Sequence, residues 1–195
     1  MDVTSTNQQQ QLNPGRAGLL LLVFPAIAIV AAILTVLADD SSQRAVPPPA
    51  DAPAAAVSTD DLAPQFELAA LAGGTLRLAD FAGRVVFVNF WATWCGPCRR
   101  ELPAFAEFLA EQDTNGATII AIDNGESAEQ VQTFLDEIGV QGLPIALDPD
   151  MNTRRVYGVF NLPTTFVIAP DGTVATIKFG EITLDDLRNM TAQYG

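Results

Sequence analysis

Histidine is absent from the chain. That removes imidazole general bases, Ser-His and Cys-His nucleophile pairs, and histidine metal ligands. Cationic residues are scarce. Lys and Arg together number 10 against 23 Asp and Glu, for a net charge of −13. A surface of that sign repels phosphate backbones and anionic lipid headgroups, so no nucleic-acid partner is expected. Cysteine is nearly absent too. There are 2, and both lie in one stretch, "NFWATWCGPCRRELP", at Cys95 and Cys98. Any chemistry must come from thiols, carboxylates or backbone groups.

Charge is missing entirely from Ala17 to Ala38, "AGLLLLVFPAIAIVAAILTVLA". A helix needs about 20 apolar residues to cross the hydrocarbon core, and Pro25 is tolerable in such a helix. The apolar region of a cleaved signal peptide runs only about 7–15 residues. Length therefore favours a retained anchor over cleavage after "VLA". The count of flanking cations is a near tie, Arg16 before the span and Arg44 after it. A short polar tail followed by a long C-terminal body fits a signal-anchor that leaves the body outside the cytoplasm, where disulfides form and persist.

Four segments are expected. Residues 1–16, with a glutamine run from Gln8 to Gln11, read as a disordered cytoplasmic tail. Residues 17–38 are the span. Residues 39–61, rich in Pro, Ala, Asp and Ser, have no apolar periodicity and read as a linker. Residues 62–195 turn globular, at a common single-domain size.

Within the last segment, Phe66–Phe81 predicts a hairpin turned at Ala72-Gly73-Gly74. "RVVFVNFW" from Arg84 to Trp91 predicts a strand buried on both faces. Leu102, Phe105, Phe108 and Leu109 recur at helical spacing. Ala117–Asp123 is a second buried strand, and Leu143–Asp148 a short one. Ser127–Gly139 is a helix with a capping box, Ser127 to Gln130, and a glycine stop. Thr164–Gly180 is a hairpin turned by Pro170-Asp171-Gly172. A terminal helix is capped by Thr183. Strands alternating with helices predict a mostly parallel sheet with helices on both faces and an antiparallel edge from the late hairpin.

Cys95 follows a buried strand and opens a helix. Helix N–H groups and the macrodipole stabilise a thiolate there. Arg99 and Arg100 are expected to add positive charge. Cys98 lies one turn on, within reach of a disulfide, and Pro97 near the first turn sacrifices no hydrogen bond. The arrangement suits attack by Cys95 on a foreign disulfide and resolution by Cys98. Four alternatives stand beside it, the first being two incidental small core residues, disfavoured by this spacing beside Trp94 and Pro97. A structural zinc site wants four ligands, and the chain holds no second pair. A static structural disulfide would close too short a loop to restrain the unfolded chain much. Two thiolates would also suit Cu(I).

"FWATWCGPC" followed by "LPTTF" resembles the thioredoxin superfamily. With "CRRELP", "NGESAEQVQTFL", the N-terminal hairpin and the apolar span, the chain resembles the membrane-anchored TlpA/ResA/DsbE-like thiol-disulfide oxidoreductases. The resemblance implies an α/β thioredoxin fold: a central mixed sheet flanked by helices, with an extra N-terminal hairpin and a central insertion. It implies Cys95 as nucleophile and Cys98 as resolving thiol. It places a cis-proline at Pro163, with Leu162 offering backbone to a substrate strand, and a substrate surface that includes Trp94, Gly96 and Pro97. Thioredoxin itself carries a buried Asp where this chain has Asn89. ResA-like proteins carry a Glu at the position of Glu101, which becomes the expected proton carrier. No cofactor and no metal is implied.

The function implied is reduction of disulfides in partner proteins, such as apocytochrome c before haem attachment. Re-reduction would come from a membrane electron-relay protein of the CcdA/DsbD type. Peroxide reduction is disfavoured, because Ala92 stands three residues before Cys95 where peroxiredoxins carry Thr or Ser. The rival functions are a redox-inert tethered adaptor and a Cu(I)-handling accessory.

Overall fold

The computed structural model describes residues 57–114 and 116–195. The N-terminal tail, the apolar span and most of the linker lie outside the described residues. Among the described residues no helix is long and apolar enough to cross a membrane.

Seven strands form one sheet in the order β2-β1-β5-β4-β3-β6-β7. The strands are β1 (Glu67–Ala70), β2 (Thr75–Arg77), β3 (Val86–Trp91), β4 (Thr118–Asp123), β5 (Ile145–Leu147), β6 (Thr164–Ile168) and β7 (Val174–Phe179). The helices are α1 (Gly96–Glu111), α2 (Ala128–Ile138), α3 (Asn152–Val156) and α4 (Leu184–Tyr194). This is the thioredoxin-like fold, with the hairpin β1–β2 added at one edge.

The sheet is mixed, which corrects the mostly parallel arrangement predicted from strand-helix alternation. Only β3–β4 and β4–β5 run parallel. β1–β2, β1–β5, β3–β6 and β6–β7 are antiparallel. Alternation is blind to α3, which has five residues and no apolar repeat. The chain uses the α3 region to reverse direction before β6.

β3, β4 and β6 are buried along their whole lengths. Alternate residues therefore face two different cores. On one face Phe87 and Trp91 meet Leu102, Phe105 and Phe108 of α1, Phe134 of α2 and Leu187 of α4. On the other, Val86, Val88 and Phe90 meet Phe66, Leu78, Tyr157 and Phe166. All the long helices cover the first face. The second is closed by the segment before β1, a 3-10 turn at Leu78–Phe81 and the residues around Tyr157. Tyr157 stacks edge-on against Phe166 and donates its hydroxyl to the Pro64 carbonyl at 2.7 Å.

Folded structure also starts before residue 62. The Asp60 N–H donates to Val174 O, and the Val174 N–H donates to Asp61 O. The end of the segment read as linker is thus a backbone clamp on β7. Its composition is that of a linker because backbone hydrogen bonds hold it, with the Val57 side chain packing on the second core.

The predicted caps are formed. Ser127 and Gln130 make a capping box on α2, Gly139 ends it with φ of 70°, and Thr183 with Asp186 caps α4. Phe105 is fully buried and Phe160 is 83% exposed. Phe105→Ala is expected to cost about 3–5 kcal/mol. Phe160→Ala should cost within about 0.5 kcal/mol of nothing. Denaturant unfolding of the oxidised protein measures both.

Candidate functional site

The parallel pair β3–β4 carries the chain to one end of the sheet. After Trp91 the turn Ala92–Trp94 delivers Cys95 to the N-cap of α1. Cys95 and Cys98 are joined in a disulfide, with Cα atoms 5.3 Å apart. The Cys98 N–H donates to Cys95 Sγ at 3.3 Å. An unpaired helix N–H therefore already points at the sulfur that would carry the negative charge. Pro97 lies in the first turn. Cys95 is 5% exposed and Cys98 0%, so an incoming disulfide meets Cys95 first. Trp94, 70% exposed, and Gly96 form the outer rim.

Arg99 and Arg100 do not act as free charges beside Cys95, as the sequence led us to expect. Arg99 bonds Glu137 at 2.6 Å and lies over the Phe134 ring. Arg100 bonds Glu181. Both cations are neutralised on the helix flank, which leaves the helix N-terminus as the electrostatic element at Cys95.

The Leu162–Pro163 peptide bond is cis. β3 and β6 pair with Phe90 opposite Thr164, so Pro163 lies level with Trp91, at the end of the sheet where the cysteine turn begins. The Pro163 carbonyl accepts from Gly180 N–H. The backbone of Leu162 makes no hydrogen bond among the described residues. Arg154 steadies the approach to this bond: its guanidinium donates to Val159 O at 2.9 Å, to Phe160 O at 3.2 Å and to Asn124 Oδ1 at 3.1 Å. Sequence reading missed Arg154 because α3 is too short to show a period.

Glu101 is buried one turn beyond Cys98, with 1% exposure. Its Oε1 accepts from Asn89 Nδ2 at 2.9 Å and its Oε2 from the Ile182 N–H at 3.1 Å. Asn89 also donates to Thr165 Oγ1 at 3.0 Å. Asn89 and Glu101, noted separately in the sequence, are thus one unit. Burial pushes the carboxyl up from 4.5 to about 7, against the two hydrogen bonds that favour its charge.

A second buried carboxyl, Asp123, ends β4. Its Oδ2 accepts from the Glu126 N–H at 2.8 Å, and Glu126 accepts from Thr93. The signal in the sequence was an acid closing an otherwise apolar strand, "ATIIAID". A separate hollow of about 410 Å³, lined by Phe81, Arg84, Ile168 and Pro170 among others, lies at the opposite end of β3 and holds neither cysteine.

Residues 59–177 match the family model described as AhpC/TSA family. The chain is 39% identical over 133 residues to the thiol-disulfide oxidoreductase ResA of Geobacillus thermodenitrificans (strain NG80-2), covering 68% of this chain and 76% of that protein. It is 39% identical over 127 residues to ResA of Bacillus subtilis (strain 168), covering 65% and 70%. The crystal structure of a putative thiol:disulfide interchange protein DsbE from Chlorobium tepidum superposes with a TM-score of 0.65 at 31% identity, over 72% of this chain and 100% of that one.

Glu101 makes stability depend on pH. Its folded value, about 7, lies above its ordinary 4.5. The folded state then binds more protons between these limits, so stability falls as pH rises through them. Glu101→Gln should flatten that fall by on the order of 3 kcal/mol. Unfolding free energies of the oxidised protein on either side of the window measure it. An unchanged slope would place the carboxyl in water.

Proposed function

The chain belongs to the AhpC/TSA family and is a ResA/DsbE-like thiol-disulfide oxidoreductase of the thioredoxin superfamily, and from that premise we propose that it reduces disulfides in partner proteins on the extracytoplasmic side of a membrane. The N-terminal apolar stretch, residues 17–38, anchors it there. The partner class is a protein carrying a vicinal or nearby disulfide, with apocytochrome c before haem attachment the leading case. A membrane electron-relay protein of the CcdA/DsbD type restores the dithiol.

One observation carries the reading: a disulfide at a helix N-terminus with a buried carboxyl, half-protonated near neutral pH, one turn further on. In the reduced protein the Cys95 thiolate attacks one sulfur of the substrate disulfide. A Cys95–substrate disulfide forms and a substrate thiolate leaves. The Cys98 thiol passes its proton toward Glu101, and the resulting thiolate attacks Cys95 Sγ. The Cys95–Cys98 disulfide closes and the second substrate thiolate leaves. The substrate gains two electrons and, with the protons returned, two thiols. The Cys98 proton needs a buried acceptor, and residues three apart on a helix have Cβ atoms about 5–6 Å apart.

The free backbone of Leu162, beside the cis-proline, gives an extended substrate segment somewhere to pair. Trp94, Gly96 and Pro97 supply the surrounding surface. Disulfide exchange is favoured over peroxide reduction because Ala92 has no hydroxyl to offer an incoming peroxide.

Cys95→Ser should abolish reduction of a disulfide-bearing apocytochrome c peptide. Cys98→Ser should trap the mixed disulfide through Cys95, visible by mass. Glu101→Gln should leave the first attack in place and slow resolution by about 10²-fold, the lower end for a proton-transfer group. Stopped-flow quenching that separates the two steps checks this. Resolution at the parent rate would remove Glu101 from the mechanism. For location, protease added to intact spheroplasts should digest the domain while the anchor remains with the membrane.

A further inference from the structure

A carboxyl pair, Asp123 and Glu126, lies against the approach to Cys95, on a different route from Glu101. Asp123 is fully buried at the end of β4 and stands opposite Trp91 in the β3–β4 register. Its Oδ2 holds the Glu126 N–H at 2.8 Å. The Glu126 carboxylate takes both polar groups of Thr93: the N–H at 2.7 Å and the hydroxyl at 2.5 Å. Thr93 is two residues before Cys95. Glu126 is therefore the tie between the turn after β4 and the turn that presents the nucleophile. Among the described residues two buried polar atoms here have no hydrogen-bond partner: Asp123 Oδ1 and the Trp91 indole nitrogen.

The charged groups around Asp123 leave its carboxyl without a bonded cation among the described residues. Glu126 contributes a second acid from the following turn. Asp148, after β5, donates its N–H to the Asp123 carbonyl, and its own carboxylate is occupied by the Thr153 and Arg154 N–H groups. Arg154, from α3, reaches the neighbouring Asn124 but is spent there and on the Val159 and Phe160 carbonyls. From α2, Phe134 packs on Trp91, and Arg99 above that ring is paired with Glu137. Two adjoining acids with no cation hold one proton in preference to two charges. Burial, together with Glu126, pushes Asp123 up from 3.8 to about 7.

We propose that Asp123 and Glu126 are a positioning pair for the thiol chemistry: with a proton on Asp123, Glu126 is held against Thr93 and fixes the Ala92–Trp94 turn before Cys95, and loss of that proton loosens the tie. The inference rests on Cys95 being the nucleophile. Above neutral pH the two acids repel each other, and half-buried Glu126 is the one free to swing toward water. The Thr93 tie weakens as it does. Cys95 reactivity then carries a step near neutral pH that does not come from Glu101.

The test uses the full-length reduced chain in a Glu101→Gln background, so that Glu101 supplies no step. Alkylation of Cys95 by iodoacetamide is followed by peptide mass across about pH 5 to about pH 9, which brackets the thiol and carboxyl ranges. The background protein should show two inflections, one from the thiol and one near neutral pH. Adding Asp123→Asn keeps an acceptor for the Glu126 N–H but has no proton to lose. It should show the thiol inflection alone, with a rate differing by about threefold or more above neutral pH. Superimposable profiles would overturn the inference. Thr93→Val leaves the carboxyl pair and removes only the hydroxyl between it and the turn, so it reads the same tie independently. It should shrink the neutral step, and a step of full height would overturn the inference. Equal labelling of Cys95 and Cys98 would instead overturn the nucleophile assignment, which the separate peptides make visible.

Discussion

A carboxyl group taken out of water remains charged only where donors or cations replace the lost hydration. Glu101 has two donors and, among the described residues, no bonded cation, so it sits at the balance point between its charged and neutral forms. Much of the site is arranged around that balance. Asn89 supplies an amide hydrogen where thioredoxin has an acid. An Asp there would place a second carboxylate against the first and drive one of them neutral. In the proposed mechanism the buried proton carrier is therefore on α1 rather than β3, and β3 supports it through Asn89.

The same contacts join the elements that build the site. Glu101 is on α1, Asn89 on β3, Thr165 on β6, and Ile182 leads into α4. Glu101 and Asn89 together thus tie the helix that carries the disulfide to the strand that delivers it, to the strand that follows the cis-proline and to the segment leading into the C-terminal helix. On the other side of the cysteine turn, Glu126 holds Thr93, and Arg154 spans from Asn124 to the carbonyls before Leu162. The apolar sheet brings both loops to one end, and these polar ties hold them there.

What the sequence revealed followed from how local each signal is. The cysteine pair, Pro97 in the first helical turn, the Ser127 and Thr183 caps and the buried runs of β3 and β4 rest on neighbours in the chain, and all stand where expected. Pro163 and Glu101 were placed through family likeness, since neither a cis bond nor a burial state is written in local composition. The mixed sheet was placed through family likeness, whereas alternation alone misjudged strand direction, which depends on α3, whose five residues carry no periodicity. The roles of Arg99 and Arg100 were misjudged because their acidic partners, Glu137 and Glu181, are far along the chain. Asp123, Glu126 and Arg154 went unread for the same reason: each acts through partners supplied by the turns and strands that folding brings to the cysteine end of the sheet.

The central claim is that this disulfide belongs to a reductant. The most direct measurement is the reduction potential of Cys95–Cys98 in the purified full-length chain, equilibrated with glutathione or dithiothreitol buffers. A potential near that of thioredoxin, about −270 mV, or below it is the predicted result, because a reductase must give up its electrons readily to substrate disulfides and be refilled from a dedicated supply. A potential near about −120 mV, typical of a strong periplasmic oxidant, would contradict the account and assign the same geometry to disulfide formation.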